Sequence, residues 1–280
     1  MQNQFTGSIM QNKLLLCGCG WLGGYAAKHF SSRYVITGTT RNPSKAQQLT
    51  EAGISPLKYE LGQSADALAD AANNSIVILN IPPGRRNPDL SDFTRSMCEL
   101  ITALFTKAKP ALVIFISTTS VYGDSEGVIT ESSAVAPSTA SGIAHVEIEQ
   151  HLVSTAPQHS YVLRLAGLVG PDRHPVNTLA GRTLTGANQL VNLVHIDDVL
   201  QAIEALIQLR PTNPIWHLCS NDHPKRGIYY PKMALRRGLN NIEFSDNPDE
   251  TNPGEGKRID ASATLSTLQL ALSYPSPWDM

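Results

Sequence analysis

Apolar positions along the chain fall into short continuous runs separated by stretches of helical period. Lys13-Leu14-Leu15-Leu16-Cys17 is the first such run and predicts a strand buried on both faces. An alanine-rich helical stretch follows over Tyr25 to Phe30, then a second strand at Tyr34-Val35-Ile36-Thr37. A helix opens at Asn42-Pro43 and runs through Leu49. Strand, helix and strand within about thirty residues make a βαβ unit. Pro56 to Tyr59 reads as a third strand and Ser75 to Asn80 as a fourth. Phe93, Met97, Leu100, Ile101 and Leu104 share one helical face, so Ser91 to Lys107 is predicted as an amphipathic helix that Pro110 ends. A fifth strand (Ala111 to Ile116), a helix from about Gly142 to Val153 and a strand over Tyr161 to Leu165 continue the alternation. Beyond Gly170-Pro171 the pattern is irregular up to Gln189. Val191 to Val194 then reads as a short strand, Asp197 to Leu209 as a helix and Pro214 to Leu218 as another strand. From Ser220 onward come a helix (Tyr230 to Arg237), a short strand (Ile242 to Phe244) and a Pro/Asn/Gly-rich stretch to Gly256.

Strands alternating with helices predict an α/β fold, a Rossmann-type doubly wound parallel sheet whose ligand lies at the strands' carboxyl ends. The expected division is a loose tail over residues 1–12 and a dinucleotide-binding domain over 13–171 and 189–219. Residues 172–188 and 220–280 form a small substrate-side region, too short for its own core and expected to fold against the sheet. Composition agrees with a globular, soluble chain: 41% of the 280 residues are hydrophobic and 16% charged. A net charge of −2 with no basic stripe argues against a nucleic-acid partner. The pairs Arg85-Arg86, Lys225-Arg226, Arg236-Arg237 and Lys257-Arg258 read as solvated surface. Nowhere do about eighteen apolar residues run together, so no membrane partner is expected. Cys17, Cys19, Cys98 and Cys219 show neither metal nor redox spacing. They imply a reducing compartment, hence a cytoplasmic location and no metal site.

Gly18, Gly20 and Gly23 match G-x-G-x-x-G where a buried strand runs into a helix, the context in which that pattern cradles a dinucleotide. Gly18 permits the tight turn, Gly20 lets backbone approach a pyrophosphate, and Gly23 lets helix pack on strand. The N–H groups of Trp21 and Leu22, at the helix N-terminus, are expected to face the phosphates. At the end of the second strand, where NAD binders carry a carboxylate for the ribose 2′-hydroxyl, stand Thr40 and Arg41. A guanidinium suits a 2′-phosphate, so NADP is preferred to NAD as cofactor. Asn80, Ile81 and Pro82, at the carboxyl end of the fourth strand, complete the expected cofactor site.

With these residues in view, the chain resembles the extended short-chain dehydrogenase/reductases, in particular the NAD-dependent epimerase/dehydratase branch, from Leu14 to about Tyr274. Ser117-Thr118-Thr119-Ser120-Val121-Tyr122-Gly123 is similar to the family's S-S-x-x-V-Y-G, with Glu131 and Pro137 similar to the E and P that follow it. Arg164 to Pro171 resembles R-x-x-x-x-Y-G-P, and Val194-His195-Ile196-Asp197-Asp198-Val199 resembles V-H-V-D-D-V. The chain is similar, more narrowly, to uncharacterised bacterial members with a short G-W-L-G turn. The resemblance implies hydride transfer to or from a nicotinamide. In it a tyrosine moves the hydroxyl proton, a lysine lowers that tyrosine's pKa, and a Ser or Thr holds the substrate oxygen.

Three departures qualify it. The glycine turn is one residue shorter than the family's, and Val169 stands where an aromatic residue is usual. Counting from Pro137, the tyrosine position holds Ser141 and the lysine position His145, so the Tyr-x-x-x-Lys pair is missing. Thr118 keeps the Ser/Thr place. A serine hydroxyl is too weak an acid to replace a phenol, whereas His145 titrates near neutrality and is the expected proton donor, one helical turn from Ser141. Tyr122 is a rival acid, with wall-building as its other role. His195 reads as a link between strand and helix, with Asp197 and Asp198 in the helix's first turn, and His174 as a solvated loop residue. For the diphosphate of a nucleotide sugar, Arg173, Arg182, Lys257 and Arg258 are the candidate cations. Two functions follow: an atypical nicotinamide-dependent oxidoreductase or epimerase-like enzyme of unknown small-molecule substrate, or a catalytically silent NADP(H)-binding regulator or sensor. A homodimer is expected to pair the apolar face of Ser91 to Lys107 with the Gly142 to Val153 helix across a two-fold.

Overall fold

The protein, as a computed structural model, is described over residues 12–83, 90–249, 251 and 253–280. The expected tail, apart from Asn12, and the Arg85-Arg86 pair lie outside the described residues. The continuous apolar runs become a seven-stranded, all-parallel sheet. Its strands are β1 (Lys13–Cys17), β2 (Val35–Thr40), β3 (Ser55–Lys58), β4 (Ser75–Leu79), β5 (Leu112–Thr118), β6 (Ser160–Leu165) and β7 (Ile215–Leu218). In space they run β3-β2-β1-β4-β5-β6-β7. The chain therefore turns back at β1, which pairs with both β2 and β4, and the crevice between their carboxyl ends is where an open α/β sheet binds its ligand.

Burial on both faces explains why these strands read as unbroken hydrophobic runs. Leu14 and Leu16 point into one core with α1 (Trp21–Phe30), whereas Leu15 and Cys17 point into the other, which holds the apolar faces of α3 (Asp66–Ala72), α4 (Ser91–Lys107) and α5 (Ala140–Thr155). Helix α2 (Pro43–Glu51) begins where Asn42 accepts from the N–H groups of Ser44 and Lys45 at 2.9 and 3.4 Å, with Pro43 at the first position. The apolar face of α4 is covered by α5 and the sheet of the same chain. That face is therefore not available to a second copy in the way the sequence reading expected.

Three regions differ from the sequence reading. Helix α3 was not expected; Leu68, Ala69 and Ala72 bury its one short apolar face. A further core, not expected from the sequence, joins the substrate-side stretches to residues of the expected dinucleotide-binding domain. Val176 from one stretch and Tyr229, Met233, Ala234 and Ile242 from the other pack with Val191 and with Val169 and Leu193 of the short strand pair Gly167–Val169 and Leu193–His195. Neither stretch alone supplies enough apolar surface. The segment beyond Gly256 is ordered by pairing: Lys257–Ile259 lies parallel to Gly127–Ile129, and the helix Ser262–Thr267 follows.

Candidate dinucleotide site and adjoining cleft

At the turn-back point the glycine turn opens a cavity of about 970 Å³, lined on one side by Gly18, Gly20, Trp21 and Gly24 and on the other by Thr40, Arg41, Ile81 and Pro82. Each glycine meets a different demand. Gly18 sits at φ +100°, and a Cβ there would fall 2.5 Å from the Asn80 carbonyl oxygen. A Cβ at Gly23 would fall 2.5 Å from the Gly18 carbonyl oxygen, so Gly23 seats helix on strand. Gly20 is exposed, and a Cβ at Gly20 or Gly24 would meet nothing within 4 Å. These two glycines leave open space directly beside α1's first turn, where the backbone N–H groups lack partners within the helix.

The sequence-predicted cofactor residues divide into two groups. Gly18, Gly20, Trp21, Thr40, Arg41, Ile81 and Pro82 line the cavity. Leu22, Gly23 and Asn80 do not: the Leu22 side chain is buried in the core, and Asn80 supports the turn by donating its amide to the Gly18 carbonyl at 3.2 Å. Sequence reading missed Lys28, Lys45 and Glu60, which also line the cavity. Residues 20, 21, 24, 25 and 28 share one face of α1, a spacing that could have found Lys28. Glu60 has no such signal. Thr40 of β2 stands opposite Lys58 of β3, and this register brings Glu60 to 3.5 Å from the Arg41 guanidinium. Lys28, Arg41 and Lys45 thus line the cavity together with Glu60.

None of Thr118, Tyr122, Ser141 and His145 lines that cavity. Thr118, at the end of β5, accepts from the Ser120 N–H at 3.2 Å and lies 2.9 Å from the Ser120 hydroxyl. The first turn of α5 packs close by, since a Cβ on Gly142 would fall 2.8 Å from the Ser120 carbonyl oxygen. Tyr122 is fully buried, not a wall of the cleft. Its hydroxyl accepts from Arg164 at 3.0 Å and lies 3.1 Å from His217 Nδ1, which removes it as a rival acid. Behind it runs a buried polar chain: Arg164 holds Glu149 through its Nη2 at 2.6 Å and its Nε at 3.1 Å, and Ser117 donates to the same carboxylate.

His145 is also buried, with its ring stacked 5.7 Å from Phe115 and Nδ1 donating to the Ser141 carbonyl at 2.7 Å. Burial pushes its pKa below the ordinary imidazole value. The Ser141 carbonyl takes the Nδ1 proton, and burial disfavours the charged ring that a proton donor at this position would need. The physical reason is that α5 turns this face toward Phe115 rather than toward water.

His195 is the expected link: its Nδ1 accepts from the Asp197 N–H at 3.3 Å at the start of the helix Ile196–Leu209. Asp198 reaches past that helix to accept from the Ser273 and Tyr274 N–H groups. His174 is a correction. It is 3% exposed, 2.9 Å from the Tyr229 hydroxyl, because the helix Arg226–Arg236 covers its loop. Burial pushes its pKa down to about 4. The folded state thus resists a proton that the unfolded chain accepts near pH 6.5, and stability falls as pH drops from there toward 4. Unfolding in urea at pH 7.5 and pH 5 is expected to show this limb, with His174→Asn reducing the difference by about 2 kcal/mol. An unchanged difference would mean that His174 titrates normally.

The strand order, the turn-back crevice and the open glycine turn define a nucleotide-binding protein of the Rossmann type. Residues 14–219 match the model of the NAD dependent epimerase/dehydratase family, and the chain belongs to that family. It is 33% identical over 270 residues to Protein YeeZ of Escherichia coli K12, covering 95% of this chain and 97% of that protein. Among solved structures, a functionally unknown conserved protein from Silicibacter pomeroyi shares the fold with TM-score 0.74 at 24% identity, covering 95% of each chain. MoeE5, solved with UDP-glucose and NAD, gives 0.76 at 18%, and UDP-glucuronic acid 4-epimerase from Bacillus cereus, solved with NAD, gives 0.75 at 16%; each match covers 94% of both chains.

Proposed function

We propose that this chain is a cytoplasmic NAD(P)-dependent enzyme of the epimerase or oxidoreductase type, with NADP(H) preferred, acting on a small molecule. The observation that carries the reading is the open space at Gly20 and Gly24 beside an uncapped helix N-terminus. A bound nicotinamide would supply hydride acceptance and donation. The Trp21 and Leu22 N–H groups and α1's dipole would hold the pyrophosphate, and Arg41 and Lys45 a 2′-phosphate. Thr118, at the carboxyl end of β5, would hold the substrate oxygen. Ser141 and His145 would stand where the family's tyrosine and lysine stand, with His145 as a neutral proton acceptor.

Calorimetry with NADP(H) and NAD(H) tests the reading. Wild type is expected to bind, and Arg41→Ala to weaken NADP(H) by about 1–3 kcal/mol, the range of a charge-assisted contact, while sparing NAD(H). Equal losses for both would remove Arg41 from the 2′-phosphate. No binding of any of the four forms would sink the cofactor reading itself.

A further inference from the structure

Trp21 is the first residue of α1, and its indole does not lie along its own helix. It reaches across to the loop after the strand Gly167–Val169. There its Nε1–H donates to Asp172 Oδ1 at 2.8 Å, and the Tyr25 hydroxyl, one helical turn later, donates to the same oxygen at 3.0 Å. The two rings lie 4.8 Å apart, and the Arg173 guanidinium lies over the indole at 5.2 Å. The approach is close enough that Gly170 has no room for a side chain: a Cβ there would fall 2.8 Å from the indole ring carbons. Trp21 and Tyr25 are at the same time walls of the dinucleotide cavity, on the helix face that carries Gly20 and Gly24.

We propose that Asp172 is a positioning residue for the bound cofactor. By accepting two hydrogen bonds on one oxygen, it fixes the two aromatic side chains that wall the pyrophosphate end of the cavity. It also fastens the first turn of α1 to the substrate-side loop, so that cofactor occupancy and the order of that loop support each other. The proposal rests on the cofactor reading above but adds a residue outside the cavity lining. Two effects at Asp172 oppose each other. Its negative charge repels a pyrophosphate, and its acceptor oxygen preorganises the wall that receives one. Hydrogen bonding from Trp21 is the main cause holding the carboxyl below its usual range, so at neutral pH the group is ionised.

The two effects separate by substitution. Asp172→Asn keeps an acceptor oxygen and loses the charge; Asp172→Ala loses both. If the clasp matters, Asp172→Ala weakens NADPH binding by about tenfold, the equivalent of one good hydrogen bond. Asp172→Asn then binds at least as tightly as wild type. Energy transfer from tryptophan to the reduced nicotinamide gives a second readout, with Trp21→Phe identifying the Trp21 share. That share is expected to fall in Asp172→Ala and persist in Asp172→Asn. Unchanged or tighter binding by Asp172→Ala overturns the proposal, as does a loss that merely tracks a lowered unfolding midpoint of the cofactor-free protein. Failure of wild type to bind NADPH would overturn the cofactor reading first, and is seen before any variant is made.

Discussion

Arg164→Ala is expected to lower the free energy of unfolding by about 3–5 kcal/mol, the cost of leaving a buried charge without its partner. Arg164 is 6% exposed and Glu149 3%, and the guanidinium grips the carboxylate through two different nitrogens. Removing it strands the Glu149 carboxylate in the core with the Ser117 hydroxyl as its remaining hydrogen-bond partner, and it takes a donor from Tyr122. Arg164→Lys restores a charge but not the planar fork, so it should recover only part of the loss. A Glu149→Leu/Arg164→Met double variant removes both charges together and is expected to be more stable than Arg164→Ala, despite altering more atoms. Urea unfolding monitored by circular dichroism would decide this. A double variant that loses the sum of the single losses would show that the two side chains contribute separately. The pair also bears on the site, because it ties α5 to the ends of β5 and β6 immediately beside Thr118.

Gly20→Val is expected to reduce dinucleotide affinity by about 100-fold, about 2.7 kcal/mol, while changing the stability of the cofactor-free protein by less than about 1 kcal/mol. Gly20 has φ −73° and ψ −149°, outside the left-handed region, and a Cβ there meets nothing within 4 Å. Among the described residues no atom opposes a side chain at this position, so a valine there would project into the open space proposed for the pyrophosphate. Gly18→Ala should behave in the opposite way. Its φ of +100° and the 2.5 Å approach of a Cβ to the Asn80 carbonyl oxygen put the cost into the fold itself. Calorimetry and thermal unfolding on both variants would separate the roles. A Gly20→Val protein that binds NADPH as wild type does would place the pyrophosphate somewhere other than this turn.

Much of the architecture was legible because its signals are local. A short apolar run such as Leu14 to Cys17, ended by a glycine turn, fits a strand with both faces covered, and alternation with helices leaves a parallel sheet as its natural partner. The glycine turn was legible because the G-x-G-x-x-G spacing falls where a buried strand runs into a helix, a context read within a few residues. Helix α3 escaped because a seven-residue Asp/Ala segment carries too little periodicity to be distinguished from a loop. The core under Tyr229 escaped because its apolar residues are scattered between positions 169 and 242.

By itself, then, the sequence determined the strand order's raw material, the dinucleotide turn, and the helical spacing that puts Ser141, His145 and Glu149 on one face of α5. Only the tertiary structure decided what that face meets. Packing on Phe115 and pairing with Arg164 turned two of the three into buried groups, and burial lowers the His145 pKa. The same holds around the cavity at the glycine turn. The register of β2 with β3 set Glu60 beside Arg41, and the fold carried Asp172 to the indole of a residue 151 positions earlier. Backbone conformation and periodicity act over a few residues and can be read along the chain. Charge pairing, exclusion of water and the protonation that follows from it depend on neighbours distant in sequence, which only the folded chain brings together.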